Sequence, residues 1–330
     1  MKERIGIISL HGSPLASLGD TDAGGQNVYI AHLAKNLSKK YLVDIFTRKH
    51  RPGQAITHKD GYRVVYIDAG PASEIPKEKL MPYLNEFSLN LKNFITKNKL
   101  KFKLMHANFF DSGRAAIDIK KEKGTPFIIT FHALGRIRRH FQGDKDNFPD
   151  DRFLIEEEIM KLADGIIAEC PQDKEDMINL YKAKEEKIRM IPCGYDPVEL
   201  MPVPKEEARF FLGIPPEKKV ILQLGRMVQR KGIENVIKAH LLLVKFYRYD
   251  AQLLIIGGET ASNKLKTAEI ERLEPIVKRL GLAKRVNFMG KAKRDMLKFF
   301  YSAADIFVST PWYEPFGITP LEAMACKTPV

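Results

Sequence analysis

Val220-Ile221-Leu222-Gln223-Leu224-Gly225-Arg226, with Lys231-Gly232 five residues beyond Arg226, reads as a buried strand, a glycine turn and the opening of a helix. A short apolar run bounded by glycine is the mark of a strand covered on both faces, as in a parallel sheet built from βαβ units. This stretch also restarts a pattern. Upstream of it, apolar runs at Ile5 to Leu10, Val43 to Thr47, Arg63 to Ile67, Leu104 to Asn108, Phe127 to Phe131, Gly165 to Glu169 and Arg189 to Ile191 predict strands, most of them separated by amphipathic segments. The series breaks at Pro192-Cys193-Gly194-Tyr195-Asp196-Pro197, with Pro202 and Pro204 close behind, where prolines prevent continuous helix. It resumes at Val220 to Leu224, Gln252 to Ile256, Val286 to Met289 and Asp305 to Ser309, each followed by a helical pattern. The expected fold class is α/β: two Rossmann-like, doubly wound domains in tandem, residues 1–200 and 201–330, with a ligand cleft between them. The chain stops at Thr328-Pro329-Val330, where another strand is due, so the second domain reads as incomplete and the chain as a fragment.

At 330 residues the chain is too long for one ordinary core, which agrees with two domains. Cys170, Cys193 and Cys326 lie beside apolar segments without metal-ligand spacing and read as free thiols in a reducing compartment. The run Ile5 to Leu10 is too short for a signal core or a membrane span, so a soluble, cytoplasmic protein is expected. A formal charge of +13 calls for anionic ligands or surfaces. Nucleic acid is disfavoured, because the basic residues are dispersed and no nucleic-acid module is present. Lys92, Lys97, Lys99, Lys101 and Lys103 suit weak contact with an anionic membrane surface, or a plain solvated helix end, equally well. No G-x-G-x-x-G follows the first strand and no P-loop string occurs, which argues against dinucleotide oxidoreductases and P-loop NTPases.

The residues that carry chemistry gather at strand ends and helix starts. Glu314 and Glu322 stand eight residues apart in Glu314-Pro315-Phe316-Gly317-Ile318-Thr319-Pro320-Leu321-Glu322. Thr319 is a good N-cap and Pro320 suits a first helical turn, so backbone N–H groups from Phe316 to Leu321 are expected to face an anion. Carboxylates on either side of such an anion site can accept hydrogen bonds from hydroxyls flanking a diphosphate, which describes a nucleotide sugar. Arg226 and Lys231, at a strand end and the next helix start, can converge on the same diphosphate and neutralise charge growing on a leaving group. The polar loop Asp20-Thr21-Asp22-Ala23-Gly24-Gly25-Gln26 leads into a helix at Asn27 to Leu37, and adjacent glycines let backbone amides approach an anion. His132 ends the strand Phe127 to Phe131, where an imidazole faces ligand rather than core. The segment His106-Ala107-Asn108-Phe109-Phe110-Asp111 ends an earlier strand, and Ile255 to Glu259 and Val286 to Lys291 end strands of the second domain.

Together these strings resemble the retaining glycosyltransferases of family 4, within the group of sucrose-phosphate synthases, sucrose synthases and inositol-phosphate transferases. The likeness runs from His11 to the C-terminus, with four motifs in family order. It implies a GT-B architecture in which the first domain mainly holds the acceptor and the second a nucleotide sugar, most simply a UDP-sugar of the UDP-glucose type. It implies hexosyl transfer with catalytic roles for His132, Arg226, Lys231 and Glu314. Glu314 is implied to meet the donor sugar and Glu322 the ribose, with Phe316, Gly317, Ile318 and Thr319 supporting the diphosphate. Gly24, Gly25 and Gln26 contact the donor from the first domain, and Gly290 and Lys291 adjoin the base. His106, Asp111, Arg136, Arg138 and Arg139 are the acceptor-side candidates, the arginines being equally readable as surface charge. No carboxylate is placed as a covalent nucleophile, so same-face attack is expected, with the leaving phosphate taking the acceptor's proton. Asp20-Thr21-Asp22 also spells D-x-D, a metal signature of the other large glycosyltransferase fold. Arg226 and Lys231 make a metal redundant, so neither metal nor cofactor is expected.

One departure stands out. Glu169-Cys170-Pro171-Gln172-Asp173 occupies the place where sucrose-phosphate synthases carry an Arg-bearing segment thought to hold the acceptor phosphate, which argues against fructose 6-phosphate. Two other classes share parts of this pattern. A sugar-nucleotide epimerase of the same fold needs a cleft acid–base pair that the sequence does not offer. A non-catalytic or truncated sugar-nucleotide-binding protein is the alternative.

Overall fold

The computed structural model describes residues 2–16, 24–258, 267–314 and 316–330. The chain divides into two compact units, Met1–Cys193 and Gly194–Val330. In the first, the strands are β1 (Arg4–Ile8), β2 (Leu42–Arg48), β3 (Ile56–Lys59), β4 (Tyr62–Ile67), β5 (Leu104–Asn108), β6 (Phe127–Thr130), β7 (Gly165–Ala168) and β8 (Ile188–Met190). Its helices are α1 (Gly25–Leu37), α2 (Leu84–Lys97), α3 (Phe110–Lys123), α4 (Gly135–Gln142), α5 (Asp151–Leu162) and α6 (Pro171–Tyr181). The second unit holds β9 (Lys219–Leu224), β10 (Ala251–Ile256), β11 (Val286–Gly290) and β12 (Ile306–Phe307). Its helices are α7 (Lys205–Leu212), α8 (Ile233–Phe246), α9 (Ala268–Arg279), α10 (Leu297–Ala303) and α11 (Ile318–Ala325).

The first sheet has the order β3-β4-β2-β1-β5-β6-β7-β8 and is parallel except for β3, which runs antiparallel to β4. The sequence reading missed β3, and the reason is visible: all four of its residues are exposed, so it has no buried face to generate a pattern. The central strands bury nearly everything, as Ile7, Ile8, Ile45 and Ile129 show. On α2, Leu84, Phe87, Leu91 and Ile95 fall at helical spacing and join the main core.

The second sheet is wholly parallel, in the order β11-β10-β9-β12. Leu222 and Phe307 seal one of its faces and Leu253 and Ile255 the other. Strand β12 is shorter than the expected Asp305 to Ser309. Asp305, just ahead of it, turns its carboxylate to Val220 N–H and to Arg209. Both sheets have a reversal of strand order, at β1/β5 in the first and at β9/β12 in the second. In open α/β sheets the segments following such strands form the ligand crevice.

Candidate functional site

In the second unit, the two segments that leave the reversal point are tied to one another. Thr310 Oγ1 donates to Gly232 O at 2.8 Å and Trp312 N–H donates to Arg230 O at 2.8 Å. The contact depends on glycine: Gly232 has φ +65°, and a Cβ there would lie 1.9 Å from the Thr310 carbonyl oxygen. This stitching sets the short 3-10 turn Gln229–Lys231 against the segment that carries Glu314. Lys231 Nζ donates to Glu314 Oε2, and an Arg230 guanidinium nitrogen lies 4.0 Å from the same oxygen while its plane sits over the Tyr313 ring.

Lys231 is largely enclosed, its side chain 14% exposed. Burial pushes its ammonium below the usual lysine range; Glu314 opposes that, while the charges of Arg230 and Arg226 reinforce it. Arg226 is therefore close enough for its charge to be felt at Lys231. Two cations, Lys231 and Arg230, thus meet at one carboxylate, with the charge of Arg226 felt beside them.

The helix that carries the second glutamate begins earlier than the sequence suggested. Thr319 is not the N-cap: Gly317, in the left-handed region at φ +84°, ends the loop, and α11 starts at Ile318. Only glycine enters that region without steric cost, so the turn is made before Thr319 is reached. Phe316, Gly317, Ile318 and Thr319 still form the helix start, all partly exposed. Glu322 is nearly sealed, at 2% exposure. Its Oε1 accepts from Arg294 Nη1 at 2.6 Å and its Oε2 from Tyr301 Oη at 2.9 Å. The two glutamates thus differ in kind: Glu314 sits among cations at the surface, whereas Glu322 is pinned by Arg294 and Tyr301. Gly290 ends β11, accepts from Gly257 N–H at 2.8 Å, and leaves Lys291 exposed beside it.

In the first unit, His132 lies just past β6 with the uncommon φ of +56°. Its Nδ1 is 3.2 Å from Glu169 Oε1, past the end of β7, and its Nε2 is 3.0 Å from Asn108 Oδ1, at the end of β5. The Tyr29 ring meets it edge-to-face at 5.0 Å. Burial drives the Glu169 carboxyl upward, yet the charge and hydrogen bond of His132 outweigh it and hold the group below its ordinary range. Gly24 is the extended N-cap of α1, and its N–H donates to Asn27 Oδ1 at 3.0 Å. The helix therefore begins at Gly25, ahead of the expected Asn27. Gln26 Nε2 reaches Ser9 Oγ at 3.3 Å. Residues Asp20, Thr21 and Asp22 lie outside the described residues.

The acceptor-side candidates are more enclosed than their sequence suggested. His106 is buried, its Nε2 2.9 Å from Thr130 Oγ1, and burial with the nearby His132 lowers its pKa to about 3, so it is neutral. Asp111 is 2% exposed; one oxygen faces His11 Nδ1 at 2.7 Å and the other accepts from Ser112. Arg136 pairs with Glu157, Arg138 with Asp146 and Glu78, and Arg139 with Asp150. Each arginine already faces a carboxylate. The sequence reading did not single out Glu169, Tyr29, Arg230, Arg294 or Tyr301 for the site. Only the register of adjacent strand ends could have flagged Glu169.

Residues 23–199 match the description Glycosyltransferase Family 4, and residues 204–330 match Glycosyl transferases group 1. The chain belongs to glycosyltransferase family 4. Among curated relatives, the mannosylfructose-phosphate synthase of Agrobacterium fabrum is 34% identical over 99% of this chain and 75% of its own. The D-inositol 3-phosphate glycosyltransferase of Corynebacterium jeikeium is 32% identical over 99% of this chain and 79% of its own. Among solved structures, the sucrose-phosphate synthase of Thermosynechococcus elongatus superposes with a TM-score of 0.89 at 33% identity, covering 100% of this chain and 80% of that one. An Anabaena protein, HepE, solved with UDP and glucose, shares the fold at a TM-score of 0.71 and 18% identity, over 99% of this chain and 80% of that one. The GT-B fold of the family is therefore that of this chain, and the chain is a glycosyltransferase. Among the described residues, no helix is long and apolar enough to cross a membrane.

Proposed function

We propose that this glycosyltransferase moves a hexosyl group from a UDP-sugar of the UDP-glucose type to a hydroxyl of a sugar or sugar phosphate, with retention at the anomeric carbon. The observation that carries the reading is the meeting of Lys231 and Arg230 at Glu314, with the charge of Arg226 acting on Lys231, where β9 and β12 release the chain. A diphosphate is the kind of anion that guanidinium and ammonium groups set side by side can receive. In the transfer, the bond between C1 and the β-phosphate oxygen breaks while the acceptor oxygen bonds C1 on the same face. The acceptor's proton passes to the departing phosphate oxygen. Lys231 and Arg226 stabilise the charge that grows there, and the amides at the start of α11 assist. Glu314 leaves Lys231 for the sugar hydroxyls, Glu322 serves the ribose, and Gly24 and Gly25 meet the donor from the first unit. Gly290 and Lys291 adjoin the base.

The cations make a divalent metal unnecessary, so chelation with EDTA is expected to leave transfer unchanged. The three free cysteines suit a reducing, cytoplasmic setting. The names of the relatives point to phosphorylated acceptors such as an inositol phosphate or a hexose phosphate. Glu169 and Asp173 argue against a phosphate seated directly at the start of α6. The test is incubation with radiolabelled UDP-glucose and a panel of sugars and sugar phosphates, with the anomeric configuration of the product read by proton NMR. An α-linked product supports the reading. Binding without transfer or hydrolysis supports instead a sugar-nucleotide-binding protein.

A further inference from the structure

The first unit holds a side-chain arrangement that the transfer chemistry above leaves unused. Three neighbouring strands, β5, β6 and β7, pair in register with Asn108 opposite Thr130 and Thr130 opposite Ile167. Continuing two residues beyond Thr130 and Ile167 reaches His132 and Glu169. The three strand ends therefore present Asn108, His132 and Glu169 side by side, and the imidazole lies between an amide oxygen at 3.0 Å and a carboxylate at 3.2 Å. The His132 backbone is in the left-handed region at φ +56°, a conformation that costs free energy and persists where surroundings enforce it. Tyr29 closes over the ring edge-to-face. Glu169 is itself held: its backbone N–H donates to Asp173 Oδ2 at 3.0 Å, and Cys193 Sγ–H donates to its Oε1 at 3.1 Å. It is 4% exposed, so it faces the histidine rather than solvent.

We propose that Glu169 is a positioning residue for His132, fixing the proton on Nδ1 and the plane in which the ring is offered to the substrate. A carboxylate can only accept, so the Nδ1 that faces it must donate, and the Asn108 amide oxygen likewise accepts from Nε2. That His132 acts on substrate is what the likeness to family 4 implies and stands or falls with the proposed function; the pairing of the two side chains does not. Glu169→Gln keeps the size and an accepting oxygen but removes the charge, whereas Glu169→Ala removes both. Cys193→Ser changes the other partner of Glu169 without touching the histidine.

Two readouts test the proposal on the full chain. Long-range ¹⁵N–¹H NMR of histidine-labelled protein, with the signal assigned through His132→Gln, reports which ring nitrogen carries the proton. Initial rates with UDP-glucose, as transfer or slow hydrolysis, report function. The expected result is a Nδ1–H signature in the wild type, and its loss in Glu169→Ala, where the Nε2–H toward Asn108 remains. With it should come a fall in kcat of about 30-fold or more and a donor KM changed less than about threefold. Glu169→Gln should recover part of both, and Cys193→Ser should match the wild type. An unchanged ring signature in Glu169→Ala overturns the proposal, as does an unchanged kcat or an effect confined to KM. If the ring signature shifts while the wild type acts on no UDP-sugar, the pairing stands and the proposed function falls.

Discussion

Replacing Glu314 with glutamine removes a carboxylate that Lys231 and Arg230 share. The Arg230 nitrogen lies 4.0 Å from it, and at that distance two unit charges attract by about 4 kcal/mol at the effective dielectric of a protein surface. The side chains of Arg230 and Glu314 are 22% and 24% exposed, so water screens much of that attraction. A diphosphate that takes these cations must displace the carboxylate or lie against it, and the net handicap is of order 1–2 kcal/mol. Glu314→Gln should therefore bind UDP about 5- to 30-fold more tightly than the wild type. UDP-glucose should gain less, because its sugar loses the Glu314 contact. Isothermal titration calorimetry with both ligands at two salt concentrations measures this, the UDP gain shrinking as salt rises. Equal or weaker UDP binding by the variant would mean that Lys231 and Arg230 do not receive the diphosphate.

Other expectations follow from single residues. Lys231→Ala should lower kcat by about 100- to 1000-fold with an unchanged far-UV circular dichroism spectrum, since it removes a charge aimed at the leaving group; wild-type turnover would refute the assignment. Gly232→Ala places a methyl group 1.9 Å from the Thr310 oxygen at φ +65° and should cost about 2–4 kcal/mol in urea unfolding, with a change below about 0.5 kcal/mol contradicting the stitched loop. Burial raises the Asp173 carboxyl to about 7, so the fold holds that proton more tightly than the unfolded chain does. Stability from this group is full below the ordinary carboxylate range and is lost as pH rises through about 7. Asp173→Asn should thus melt close to the wild type at pH 4 and several degrees above it at pH 8, and a pH-independent difference would count against the assignment.

The strands were legible because a parallel sheet buries both faces and leaves short apolar runs bounded by turns, as at Leu104 to Asn108, where expectation and structure coincide. The exposed β3 left no such trace. The start of α11 was misjudged because a threonine with a capping side chain is a stronger sequence signal than a glycine whose value is its left-handed backbone. The donor-side candidates were legible as strings because Arg226 follows a strand end, Lys231 precedes a helix start and Glu314 lies in the segment leading to another helix. Their partners were not. Glu169 lies 37 residues from His132, Arg294 lies 28 from Glu322, and only the folded sheet or helix brings each pair together. The enclosure of Asp111 and His106 was equally hidden, since burial depends on neighbours supplied by other strands.

The most direct test of the account is a crystal structure of the protein with UDP. The expected result is a β-phosphate oxygen within hydrogen-bonding distance of Lys231 Nζ, with Glu314 turned away from that nitrogen. A diphosphate bound elsewhere, with Lys231 still on Glu314, would contradict it.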